Sequence, residues 1–198
     1  MRRTLILFIF ALSASCVFGQ DFSKSLSDAK SSYQSGNLDD ARFAMQQMLN
    51  DLDIAIGKEV MKLLPSKMEQ HAVNATNDNV TANTGFTGVL IHRDYGTEDK
   101  MVKIDIMGNS PLVGSLNAIL SMPFIGNSGD GTQKQVKVQG YKGILQKSTD
   151  TETNKTEYTL QIPLNSSLLT LVVPDSNEGE VMKMVSTIPV GDIAKMVQ

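Results

Sequence analysis

Leu168-Leu169-Thr170-Leu171-Val172-Val173 is apolar at five of its six positions. A run this short, closed off upstream by the turn-forming pair Asn165-Ser166, reads as a β-strand. Because it is apolar on both faces, it belongs at the centre of a sheet with helices on each side. Working outward toward the N-terminus, three more strands are expected at about 157–162, 142–147 and 135–138. They are punctuated by Asp150–Lys155 and Gly140. Farther out, Val89, Ile91, Arg93 and Tyr95 alternate with Leu90, His92 and Asp94. Val102, Ile104 and Ile106 alternate with Lys103 and Asp105, and the polar stretch from Gly96 to Lys100 makes the turn of a β-hairpin. Between hairpin and meander, Ser110-Pro111 opens a helix over 112–122, with a hydroxyl to cap it and proline at the first helical position. On the C-terminal side, Asn177 with Glu180 three residues later starts another helix. Pro189 ends it, and a short last helix runs from Asp192. The fold class is therefore α+β: a six-stranded, mainly antiparallel sheet flanked by helices on both faces.

The sheet is preceded by a helical hairpin over residues 20–66. Phe22, Leu26, Ala29 and Tyr33 recur at helical spacing along one face. Gly36 terminates that helix, and Asn37 caps the next, with Asp39 and Asp40 in its first turn. Ala41, Met45, Met48, Leu52 and Val60 continue a second stripe, in which Gly57 is a weak point. Ala29-x3-Tyr33-x2-Gly36-x4-Ala41 resembles the middle of a tetratricopeptide repeat, but it occurs once, and repeats of that kind bury their apolar faces on neighbours. Residues 67–85 are rich in Asn and Thr without periodicity and read as a polar linker to the α+β domain at 86–198. The order hairpin, helix, meander, helix resembles the PsbP-like α/β/α sandwich of small exported bacterial proteins. The short stretches Leu64-Pro65, Gly85-Phe86 and Gly108-Asn109-Ser110-Pro111-Leu112 share in that likeness. The resemblance implies a fold and mostly non-enzymatic accessory roles, with no catalytic motif attached.

Residues 1–19 have the form of an export signal. Arg2 and Arg3 precede an apolar core to Leu12, and the small-residue segment to Gly19 offers a cleavage site before Gln20. Two further patterns overlap it. Ser13-Ala14-Ser15-Cys16 weakly resembles a lipobox, which would anchor the protein to the outer membrane as a lipoprotein through Cys16. Arg2-Arg3 brushes the twin-arginine pattern. No later stretch is long enough to span a bilayer. The chain of 198 residues carries a formal charge of −3. With Arg2 and Arg3 removed, 16 of its 18 basic residues stand against 21 acidic ones, a charge of −5. Neither figure offers an electrostatic footprint for nucleic acid. A mature chain without cysteine fits the periplasm or an extracellular location.

Sites for chemistry are scarce. Four N-x-S/T sequons begin at Asn74, Asn79, Asn154 and Asn165 and read as solvated polar loops. Asp150, Glu152 and Asn154 place oxygens at alternate positions of a turn, but Lys155 and Gln161 stand where a calcium loop needs Gly and Glu. Gly126–Gly131 lacks the Lys and hydroxyl residue of a phosphate loop. His71 and His92 have no metal-ligand spacing, so neither a metal nor a cofactor is expected. Met45 with Met48, and Met182 with Met184, offer paired thioethers of the kind that select Cu(I), although methionine also fills irregular gaps in cores. Three functions compete. The first is an exported accessory or binding protein of the bacterial cell envelope, not an enzyme, contacting an envelope protein through Tyr33, Phe43 and Met45. The second is a carrier of a small apolar ligand near Met107, Met122, Met182 and Met184. The third is a hydrolase in which His92 works with Asp94, on its own strand face, or with Asp105, which reaches it in only one hairpin register.

Overall fold

The computed structural model describes residues 18–82, 88–122 and 131–197. The expected export signal and Cys16, the Gly85-Phe86 pair and most of the Gly126–Gly131 loop lie outside them. The chain divides into two compact units, 1–48 and 49–198.

In the first unit, helix α1 (Phe18–Gln34) is followed by a three-residue turn and the start of α2 (Leu38–Leu63). Gly36 takes the left-handed conformation, with φ +79°. The Gly36 N–H donates to Tyr33 O at 3.2 Å and the Asn37 N–H to Ser32 O at 2.9 Å. That pair of bonds is a Schellman motif, which closes the end of α1 on its own carbonyls. Asn37 then accepts from the Asp40 N–H and caps α2. Helix–turn–helix is thus present as read, and α2 runs unbroken through Gly57.

The second unit is built on one open sheet, antiparallel throughout, of eight strands among the described residues. They are β1 (Lys67–Met68), β2 (His71–Ala82), β3 (Val89–Tyr95), β4 (Val102–Met107), β5 (Gln133–Val138), β6 (Tyr141–Thr149), β7 (Thr156–Leu164) and β8 (Ser167–Pro174), in the order β1-β2-β3-β4-β8-β7-β6-β5. Six strands were expected; β1 and β2 are the two additions, and they occupy the stretch that reads as a polar linker. The cause is local. The ladder of β2 with β3 slips between Asn74 and Asn79, and within β2 only Val73 and Val80 are apolar side chains packed against the core, so no period of two survives in the sequence.

Leu168–Val173 is central as expected, between β4 and β7. Leu169, Leu171 and Val173 are buried among Val60 of α2, Leu64 just past its end, and the apolar sides of α4 (Glu178–Ser186) and α5 (Val190–Met196). On the opposite face, Leu168 packs with Val113, Leu116 and Leu120 of α3 (Leu112–Ser121). Val172, also expected to be buried there, is only half-buried.

Helix ends follow their capping residues. Asn177 and Glu180 form a reciprocal capping box at α4. Pro111 has helical angles (φ −64°, ψ −18°), and Ser110 Oγ accepts from the Leu112 N–H at 3.4 Å. Gln139 in the β5–β6 turn bridges the break at Pro189: its amide nitrogen donates to Ile188 O at 2.8 Å and its oxygen accepts from the Val190 N–H at 3.1 Å. The C-terminal end of α2 is held to the sheet by polar groups. Arg93 pairs with Asp78 through Nε at 2.9 Å and Nη2 at 2.6 Å, and its Nη1 donates to Met61 O at 3.1 Å. Tyr95 Oη donates to Pro65 O at 2.8 Å, and burial pushes the phenol up to about 12.

Candidate interaction surface

Phe22, Leu26, Ala29 and Tyr33 share one face of α1, and that face is largely uncovered. Ala29 is buried, whereas Phe22, Leu26 and Tyr33 are 38, 51 and 65% exposed. On α2, Leu38, Ala41 and Met45 repeat the arrangement: the alanine is buried and its larger neighbours are 62 and 50% exposed. Close packing therefore falls on the small residues Ala29, Ala41 and Ala44, and the large apolar side chains beside them face solvent. Among the described residues, eight of the ten exposed large apolar side chains lie between Phe22 and Leu52. Of the contact residues expected from sequence, Tyr33 and Met45 belong to these stripes. Phe43 is also exposed, but at two residues from Met45 it stands about 200° around the helix, on the other side. Phe22, Leu26 and Leu38 were missed as contact residues, because helical periodicity marks an apolar face without saying what covers it.

The strand register brings His92 and Asp105 together as direct cross-strand partners. They lie in a polar row, Asn79–His92–Asp105–Thr170–Gln161, on the sheet face opposite the main core. His92 Nδ1 is 2.7 Å from Asp105 Oδ1, and Nε2 is 3.1 Å from Asp94 Oδ1. The second contact is an ion-pair approach without hydrogen-bond geometry. Asp94 is buried and accepts from Asn77 Nδ2 at 2.7 Å through its other oxygen. Burial opposes charge on His92, but the Asp105 hydrogen bond and the charges of Asp105 and Asp94 outweigh it, so the imidazole titrates above its ordinary 6.5. A general base needs one ring nitrogen free to face a hydroxyl; here each nitrogen faces a carboxylate. The arrangement is an imidazole held between two carboxylates.

The residues expected around an apolar ligand are not brought together. Met184 is buried in the main core with Met182 packed against it, whereas Met107 is in the cross-strand row with Leu168 on the other face and Met122 is exposed. Met182 and Met184 are two residues apart on α4, so their sulfurs do not converge. A cavity of about 440 Å³ lies at one end of the sheet, and its lining is mostly polar, including Glu69, His71, Lys100, Asp175, Glu180 and Lys183. Lys100 pairs with Asp175 at 3.2 Å there. In the β6–β7 turn, Asp150 Oδ1 accepts from the Glu152 and Thr153 N–H groups, each at 2.8 Å. Those bonds hold its carboxyl below the usual range. Among the described residues no three His, Cys, Asp or Glu side chains are grouped to hold a metal, and no helix is long and apolar enough to cross a membrane.

Comparison of the chain with family models, with curated proteins and with solved structures finds no match.

Proposed function

We propose that this is an exported accessory or binding protein of the bacterial cell envelope, not an enzyme, that engages a protein partner through the apolar stripes of α1 and the start of α2. The likeness of its element order to the PsbP-like sandwich agrees with such a role. The observation that carries the reading is the concentration of exposed large apolar side chains between Phe22 and Leu52. Large apolar side chains are costly to leave in water, and burying a half-exposed Leu or Met recovers roughly 1 kcal/mol or more. The hydrolase reading draws support from the His92–Asp105 register, but the second carboxylate on the ring weighs against it. The apolar-carrier reading has no grouped methionines behind it.

The test is affinity capture from envelope extract with the full chain as bait. Deleting 22–64 would be a poor control, because Val60 and Leu64 belong to the core of the second unit. Surface substitution is the better one. The expected outcome is a reproducible protein partner that is lost with Leu26→Glu or Met45→Glu while the thermal melt is unchanged. Ester or phosphoester turnover abolished by His92→Ala, with the fold intact, would overturn the reading.

A further inference from the structure

Resting on that reading, we infer that the occupant of the α1/α2 stripe is a second copy of this chain, seated stripe on stripe about a two-fold axis. The first reason is area. At the exposures of Phe22, Leu26, Tyr33, Leu38 and Met45, the stripe offers on the order of 600 Å² per copy. A pair would cover roughly 1,200 Å², the size at which specific protein interfaces begin. The second reason is charge. From Phe22 to Met45 the chain carries three basic residues (Lys24, Lys30, Arg42) and three acidic ones (Asp28, Asp39, Asp40). Two such surfaces meet without net repulsion, whereas an anionic lipid surface or a strongly acidic segment would find no net charge to attract it. The third reason is geometry. In an isologous pair the same patch lies on both sides of the axis, so an apolar stripe on one copy finds an apolar stripe on the other. A lone helix–turn–helix unit lacks the neighbouring unit that would bury its apolar face, and a second copy supplies it.

Sedimentation of the full purified chain over a dilution series tests this directly. A concentration-dependent dimer is expected. Leu26→Glu and Leu26→Lys should each weaken self-association at least ~10-fold. Tyr33→Glu serves as a second disrupting variant should Leu26→Glu fail to fold. A wild-type chain that stays monomeric overturns the proposal. If envelope capture then still yields a partner that is lost with Leu26→Glu, the binding reading stands with a different occupant; if nothing is captured, both fall. A dimer that survives both Leu26 substitutions also overturns it.

Discussion

His92 is the side chain whose surroundings changed most between sequence and structure. Its alternation with Ile91 and Arg93 placed it on one face of a strand, and Asp94, two residues on, followed it there. Asp105 could be paired with it only once the hairpin register was known, and strand register is a property of two strands, not of either alone. The consequence is a stability that depends on pH. The folded-state value of His92 lies above the ordinary 6.5, so its contribution is fully present below 6.5 and disappears as pH rises through the folded value. Urea melts of the wild-type chain should show this loss on the alkaline side of 6.5, and His92→Gln should flatten that part of the profile. A His92→Gln profile parallel to that of wild type would remove His92 as the cause. Arg93 was equally opaque. It alternates in phase with Val89, Ile91 and Tyr95, on the core face, and its guanidinium survives there because Asp78 and the carbonyls of Met61 and Leu64 receive it.

At the scale of elements, the units with strong local chemistry could be read and those without it could not. The apolar run of β8, the Ser110-Pro111 helix start, the Asn177/Glu180 capping box and the Gly36-Asn37 turn each carry their own cause, and each lies where the residues put it. β2 is different. Its polar residues face solvent or, like Asp78 and Asn77, a specific polar partner, and its register slip breaks the alternation that marks a strand. Gly57 shows how a residue that looks like a helix weakness can be a packing requirement. A Cβ there would come within 2.5 Å of side-chain carbons of Val80 and Val89, so α2 lies close on β2 and β3 because position 57 has no side chain. The central role of β8 gives a quantitative expectation. Leu171 is fully buried between layers, and Leu171→Ala should cost about 2–4 kcal/mol in chemical denaturation, with the m-value unchanged. A loss below about 1 kcal/mol would mean that this strand does not sit in a packed core.

For the whole molecule, the second unit has the features of a finished fold. It has a two-layer core on one face of its sheet, α3 on part of the other, and polar groups committed to caps and turns. The helices of the first unit do not share that economy, because their apolar stripes are turned to water. Sequence periodicity could not distinguish the two situations: an amphipathic helix destined for a core and one destined for a partner carry the same pattern. The central claim is that the stripe is covered when the protein is at work. Thiol labelling tests it most directly, because Cys16 is the sole cysteine of the sequence and introduced thiols report with little background. Leu26→Cys and Tyr33→Cys should react readily with a maleimide in dilute purified protein and be protected in intact envelopes, while an exposed control such as Lys142→Cys reacts equally in both. Equal labelling of Leu26→Cys and Tyr33→Cys in the two settings would contradict the account.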